Sequence, residues 1–294
     1  MVRDRAATPR LDIAFEASGP DGGVPAILLH GWPDDVRTWD GILPTLHAAG
    51  YRTIAPYLRG FGPTTFRSPD TMRSGQLSAL GQDVLDFADA LGLRRVALVG
   101  HDWGARAAYI ASALAPDRIT HCVALSVGWG TNDPRQAMSI AQARNYWYHW
   151  FLALDRGARV VREERDAFTR LLWQTWGPSA WVAGSAFETT ARSFQNPDWA
   201  DITIHSYRHR WGLAEGDPAY AALEAKLQPA PVLSTPTLVI HGEDDWCNDP
   251  ATSANREASF SRLYDRLVLP QVGHFPSREA PGAVGRAIAA FLAR

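Results

Sequence analysis

The 294-residue chain is poor in the features that mark several large classes of protein. It has only two cysteines, Cys122 in a strand-like run and Cys247 in a loop. They are too few and too far apart for a disulfide framework, so both are expected as free thiols in a reducing compartment. No uncharged run approaches the ~18 apolar residues of a membrane span. Met1-Val2-Arg3-Asp4-Arg5 leads into no apolar segment of signal length, so a soluble, cytoplasmic protein is expected. Charge of one sign is also missing: 29 Lys and Arg oppose 31 Asp and Glu, a formal net charge of -2. That balance offers no global field for nucleic acid or an anionic membrane and agrees with a small neutral substrate. There is no internal repeat, no low-complexity tail and no compact metal-ligand spacing. His30 and His101 lie near Asp102 in pattern, but alternate side chains near a strand end point in different directions. Neither a metal nor a cofactor is expected.

Apolar material is abundant, at 46% of the residues, enough for a substantial core in one large domain or two. Leu11 to Ala17 alternates like an early edge strand. Ala26 to Leu29 is a short apolar run that stops at His30-Gly31-Trp32-Pro33, the kind of strand end where ligands sit in parallel sheets. Trp39 to Ala49 reads as a helix, Tyr51 to Pro56 as a strand, Gln76 to Leu91 as a helix, Ala105 to Leu114 as a small-residue helix and Ile119 to Val127 as another strand. Such alternation implies a mostly parallel sheet covered on both faces. From Gly128 to about Lys226 the alternation stops, and arginine- and aromatic-rich helical stretches carry Trp129, Trp147, Trp150, Trp173, Trp176, Trp181, Trp199 and Trp211. These rings are expected to fill the core of a helical insert, with some roofing a site. Thr237 to Ile240 and Arg266 to Leu269 supply the last strands, and Arg278 to Arg294 the last helix. The expected division is a core of 1–128 and 227–294 and a helical cap of 129–226.

The chemistry is carried by Gly100-His101-Asp102-Trp103-Gly104, which follows the apolar run from Val96 and fits a G-x-Nu-x-G elbow between strand and helix. Side chains at Gly100 and Gly104 would collide with the neighbouring strand and helix, and the nucleophile itself sits in strained backbone. A carboxylate in that position attacks an sp3 carbon and leaves an ester on itself, which points to epoxides or alkyl halides rather than esters and amides. Two later loops, His241-Gly242-Glu243-Asp244-Asp245-Trp246 and Gly273-His274-Phe275-Pro276, complete the order nucleophile, acid, histidine.

Together with His30-Gly31-Trp32-Pro33, these motifs make the chain resemble the α/β-hydrolase superfamily along essentially its full length, and within it the epoxide hydrolase family. The resemblance implies a mostly parallel eight-stranded sheet with flanking helices and an inserted helical cap. It implies Asp102 as nucleophile, His274 as general base and Asp245, by family spacing chosen over Asp244, as the residue orienting His274. It also implies the backbone N–H groups of Trp32 and Trp103 as an oxyanion hole, and a cis bond before Pro33. The ring-opening acids of the family are two cap tyrosines. One matches Tyr207. The other falls near Phe151, which has no hydroxyl, leaving Tyr148, Tyr146 or His149. Trp32, Trp103, Trp150 and Phe151 are expected in the substrate pocket. The implied reaction is conversion of a small apolar or aromatic epoxide and water to a vicinal diol. Haloalkane dehalogenase chemistry, with Trp103 and Trp32 or a cap tryptophan as halide donors, is the alternative, and a non-catalytic binding protein on the same scaffold the next. A homo-oligomeric state stays open.

Overall fold

The structure, a computed structural model, describes residues 2–130, 138–178, 182 and 184–294, so Trp181 lies outside the described residues. The strands are β1 (Val2–Ala7), β2 (Leu11–Ser18), β3 (Val24–Leu29), β4 (Tyr51–Pro56), β5 (Thr65–Phe66), β6 (Val96–His101), β7 (Ile119–Leu125), β8 (Thr237–Gly242) and β9 (Tyr264–Leu269). Eight of them lie in the order β1-β2-β4-β3-β6-β7-β8-β9, and the two-residue β5 pairs with β2 as a ninth. Pairing is parallel from β4 through β9 and antiparallel among β1, β2, β4 and β5. β6 is buried along its whole length and β3 from Ala26 to Leu29, which is why both read as continuous apolar runs without alternation.

Two local expectations are corrected. The strand at Leu11 is not an edge: β2 has β1 on one side and β4 on the other, and β1 is the edge. β1 contains Arg3, Asp4 and Arg5, and a charged edge strand leaves no trace in apolar periodicity. The single helix expected from Trp39 to Ala49 is instead a 3-10 turn, Val36–Trp39, followed by α1 (Leu43–Ala48). Pro44 falls in the first turn of α1, where its missing N–H costs nothing, so the helix starts anew there.

α2 (Leu77–Ala90) and α3 (Trp103–Leu114) pack together beside the sheet. Between β7 and β8 the described residues form only helical elements: α4 (Ile140–Asn145), α5 (Trp147–Ala153), α6 (Asp155–Glu163), α7 (Arg165–Thr175), α8 (Ala186–Ala191), α9 (Trp199–Arg210) and α10 (Ala221–Leu227), with short 3-10 turns. This is the inserted cap. Trp173, Trp176 and Trp199 are buried in it, while Trp147 and Trp150 remain well exposed. α11 (Pro276–Glu279) and α12 (Pro281–Leu292) close the chain. Cap and core are tied by polar links as well as by rings: the Trp173 indole donates to Pro33 O at 2.7 Å, and Asn196 donates to the carbonyls of Gly62 and Thr64. Among the described residues no helix is long and apolar enough to cross a membrane.

Candidate active site

β3 and β6 are parallel neighbours with Leu29 opposite Gly100, so the loop after one strand lies against the turn after the other. The turn after β6 is sharp. Asp102 has φ 47 and ψ -110, a positive φ that a non-glycine residue holds only when its surroundings impose it. Those surroundings are backbone: a Cβ on Gly104 would lie 2.0 Å from Leu29 O, and one on Gly100 would lie 2.3 Å from Gly104 O. The glycines therefore let strand, elbow and α3 approach closely enough to expose the carboxylate at the strand's end. From the neighbouring loop the Trp32 N–H donates to Asp102 Oδ1 at 3.0 Å, and the Trp32-Pro33 bond is cis.

The loops after β8 and β9 bring Asp245 and His274 to the same end of the sheet. His274 Nδ1 lies 2.9 Å from Asp245 Oδ2, and its Nε2 lies 3.9 Å from Asp102 Oδ2 without a hydrogen-bond partner. Asp245 Oδ1 also accepts from the backbone N–H groups of Cys247 and Asn248, and Oδ2 sits 3.2 Å from His241 Nε2. Burial would raise the Asp245 carboxyl, but His274 and His241 bring it down to about 2. For His274, burial works against the charged form and the Asp245 carboxylate outweighs it, holding the imidazole well above the usual histidine value. The histidine's backbone is held as firmly. Its N–H donates to Trp176 O of the cap, while Ser126 Oγ and His101 Nε2 both reach its carbonyl. Asp244, the other carboxylate of the loop, is partly exposed and makes none of these side-chain contacts among the described residues.

The cap supplies the opposite wall. α9 places Thr203 and Tyr207 one turn apart on one face: Thr203 accepts from the Trp32 indole at 2.9 Å, and the Tyr207 hydroxyl accepts from the Trp103 indole at 3.3 Å. α5 buries Tyr148, His149 and Leu152. The Tyr148 hydroxyl lies 3.4 Å from Cys247 Sγ, and the Tyr146 hydroxyl donates to Asn248 Oδ1 at 2.7 Å. His149 differs. Its Nδ1 accepts from the Trp211 indole at 3.2 Å, which puts the ring proton on Nε2, and Nε2 is buried without a partner. The His149 and Tyr207 rings are 4.6 Å apart. Burial raises the Tyr207 hydroxyl well above the usual tyrosine value and keeps His149 neutral, well below the usual histidine value.

Trp32 and Trp103, expected in the pocket, are fully buried at the site with parallel rings 6.1 Å apart. Trp150 and Phe151 are not there. Trp150 is 40% exposed and its indole donates to Ala143 O, while Phe151 packs on Trp147 and Phe168. The reason is rotation: at about 100° per residue, a helix that turns Tyr148 and His149 inward turns Trp150 out. Three residues belong to the wall without having been singled out for it, Trp176 and Trp211 having been expected only as members of the cap's set of rings and Thr203 not at all. Trp176 sets its ring against His274 at 4.9 Å, Thr203 caps the Trp32 indole, and Trp211 fixes the His149 tautomer. The spacing of Thr203, Tyr207 and Trp211, four residues apart, was the available signal for two of them.

His30 and His101 do not converge on Asp102 as ligands. His30 Nδ1 faces Gly31 O, its Nε2 accepts from the Leu58 N–H, and His101 Nε2 is spent on His274 O. Burial lowers both to about 4. Among the described residues the fold gathers one compact set of metal-capable atoms that no spacing in the sequence suggested, in Asp245, Cys247 and His274, within 4.8 Å of one another. Its His274 nitrogen on the Asp245 side is already taken by that carboxylate.

The model of a family described by the α/β hydrolase fold matches residues 25–281. A solved structure from Klebsiella pneumoniae subsp. pneumoniae, described as a candidate epoxide hydrolase, is 35% identical with a TM-score of 0.94, covering 99% of this chain and 97% of that one. An epoxide hydrolase of Caballeronia sordidicola is 28% identical, covering 92% of this chain and 88% of its own. Epoxide hydrolase A of Mycobacterium tuberculosis is 25% identical, covering 94% and 92%. With the elbow, the two later loops and the cap in the places described, the chain belongs to the α/β-hydrolase superfamily and, within it, to the epoxide hydrolase family.

Proposed function

We propose that the protein hydrolyses a small apolar or aromatic epoxide to a vicinal diol through an ester on Asp102, with 129–226 as the cap over a core of 1–128 and 227–294. The observation that carries this is the pair of hydrogen-bond donors buried together on the cap side, the Tyr207 hydroxyl, which meets the Trp103 indole beside the elbow, and His149 Nε2, on a ring 4.6 Å from that of Tyr207. In the first step an Asp102 oxygen forms a bond to one ring carbon as the carbon–oxygen bond breaks, and the freed electron pair goes to the epoxide oxygen. Expelling a bare alkoxide into an aromatic site would be costly. Tyr207 therefore gives its proton to that oxygen, and His149, a neutral imidazole too weak an acid to give one up, holds it by a hydrogen bond. We assign the first donor to His149 rather than Tyr148, because the Tyr148 hydroxyl is directed at Cys247.

In the second step a water attacks the ester carbonyl and gives a proton to His274 Nε2, whose 3.9 Å distance from Asp102 is too long for a direct hydrogen bond and suits a water between them. Asp245 holds the proton on Nδ1 and stabilises the imidazolium. The tetrahedral oxyanion is met by the Trp32 and Trp103 N–H groups, and collapse frees the diol's second oxygen. That oxygen and the Tyr207 oxygen regain the two protons supplied by the water, and Asp102 is restored as a carboxylate.

The haloalkane alternative needs indole N–H groups free for a halide. The Trp103 indole is already donated to Tyr207 and that of Trp32 to Thr203, which weighs against the pair beside the elbow and leaves the buried indole N–H of Trp176, whose ring lies 4.9 Å from that of His274, as the free donor that reading would need. The test is His274→Gln with a styrene-type epoxide, followed by mass spectrometry of the Asp102 peptide. An alkylated peptide should accumulate while diol release slows. Epoxide consumed with no adduct overturns the assigned base, and bromide release from a bromoalkane without diol formation from any epoxide returns the dehalogenase reading.

A further inference from the structure

On the donor face of α9 sits a second polar group that the two-step scheme does not use. Arg210 lies three residues after Tyr207, and its guanidinium carbon is 4.7 Å from the centroid of the Tyr207 ring and 5.5 Å from that of Trp103. Its Nη2 donates to Ser206 Oγ at 3.2 Å, one turn back on the same helix, while its Nε is buried with no hydrogen-bond partner. Among the described residues Arg210 has no salt bridge, although the chain pairs many of its other arginines with carboxylates. Burial accordingly disfavours its charged form, with Tyr207 and Asp102 acting in the opposite sense and Arg106 adding to the cost. A cation kept on the inner face of a cap helix, without a counter-ion, destabilises the resting protein. Something in the working cycle has to offset that.

We propose, on the strength of the ring-opening role given to Tyr207, that Arg210 is a positioning residue for that tyrosine: stacked on its ring, the guanidinium stabilises the tyrosinate formed as the hydroxyl protonates the epoxide oxygen. Before the reaction the ring is neutral, and the contact is an ordinary cation–π stack. As the proton leaves Tyr207 Oη for the epoxide oxygen, a full negative charge appears on the ring system beneath the guanidinium, and Arg210 acquires the counter-ion it lacked. The interaction is therefore stronger in the transition state than in the ground state, which is the condition for accelerating a step rather than tightening substrate binding. The Trp103 indole, donating to the same oxygen from the core side, supports the tyrosinate from the other direction. Among the described residues Asp102 and Cys247 hinder the ionisation of Tyr207, and Arg210 favours it.

The experiment is single-turnover alkylation of Asp102 by one epoxide in wild type, Arg210→Gln, Arg210→Lys, Tyr207→Phe and the double variant Tyr207→Phe/Arg210→Gln, with ester hydrolysis followed in parallel. Removing the charge should slow alkylation by roughly tenfold or more and leave ester hydrolysis, and the substrate's dissociation constant read from the concentration dependence of the single-turnover rate, nearly unchanged. Arg210→Lys, which keeps a cation over the ring, should recover much of the rate. In the Tyr207→Phe background, where no tyrosinate forms, Arg210→Gln should have little further effect. A full-speed Arg210→Gln beside a slow Tyr207→Phe overturns the role of Arg210 alone. Equal slowing by Arg210→Gln with and without the Tyr207 hydroxyl, or of both half-reactions, also overturns it, in favour of a packing role. Wild-type alkylation in Tyr207→Phe removes the donor itself, and the Arg210 proposal with it.

Discussion

On the sheet side of the site most polar atoms are committed, with His274 Nε2 and His101 Nδ1 as exceptions. Asp245 is met by His274, His241 and two backbone N–H groups, the His274 carbonyl by Ser126 and His101, and the loop ahead of His274 by Glu279, which accepts from the N–H groups of Gly273 and Phe275. On the cap side the polar atoms are few and partly uncommitted: His149 Nε2, Arg210 Nε and the Trp176 and Trp199 indole nitrogens have no partner, and Tyr207 Oη has one, the Trp103 indole. On the proposed scheme the sheet side holds groups that must keep one geometry through two chemical steps, and backbone donors and acceptors over-determine it. On the same scheme the cap side holds donors whose acceptor arrives with the substrate. A fully satisfied hydroxyl or imidazole there could not serve, and the cost of leaving them short of partners is carried by the dense ring packing around them.

The contrast can be broken from either side. Asp102→Ala should give the largest effect, a loss of turnover of ~10⁴-fold or more with the fold retained, because the carbon acceptor is gone while Gly100 and Gly104 keep the elbow. The check is diol formation alongside circular dichroism, and wild-type-like turnover would end the covalent scheme. Tyr207→Phe comes next, slowing alkylation by ~10²-fold with ester hydrolysis untouched. Stopped-flow measurement of the two half-reactions separates it from a His274 variant, which affects the second. His149→Phe should cost less, on the order of tenfold in alkylation, since a neutral donor holds the oxygen without transferring a proton. A larger loss in Tyr148→Phe than in His149→Phe would reverse the assignment between them.

The smallest expected effect is on stability. His30 and His101 are lowered from 6.5 to about 4, so the unfolded chain binds their protons more readily and stability falls as the pH drops from about 6.5 to 4. A shift of that size corresponds to roughly 3 kcal/mol per group at most. Asp35 acts in the opposite sense: burial raises it to about 7, so it contributes stability at low pH that is lost as the pH rises through 7. Asp245, held at about 2, matters only in stronger acid. Urea unfolding across this range should therefore show a shallow net loss on the acid side, flattened in His30→Gln, whose amide oxygen can still accept from Leu58 N–H. An unchanged slope would show that His30 is not one of the groups responsible.

The same division decided how much could be read in advance. Strands β3, β4 and β6 and helix α2 stand within two residues of their expected bounds because fully apolar runs and a long amphipathic helix are local signals. The edge strand β1 did not announce itself, since its charged residues bury little. In the cap the sequence showed helices crowded with rings but not their rotation: Trp150 and Phe151 were expected inside, and the turn of α5 instead presents Tyr148 and His149.

What the amino-acid sequence determined by itself was which residues the sheet side brings together for the proposed chemistry. A carboxylate between two glycines after an apolar strand, an acidic turn after a later strand and a histidine after the last one are each short-range patterns of backbone and spacing, and parallel strands carry them to one end of the sheet. Only the tertiary structure decided the donors. The proton on His149 Nε2 depends on Trp211, 62 residues away at the C-terminal end of α9, and the environment of the Tyr207 hydroxyl depends on Trp103, 104 residues before it in the core. Those choices rest on how α5 and α9 pack over the elbow. The residues around each helix spell out its faces, but which face meets the nucleophile is set by packing energies spread over the whole cap.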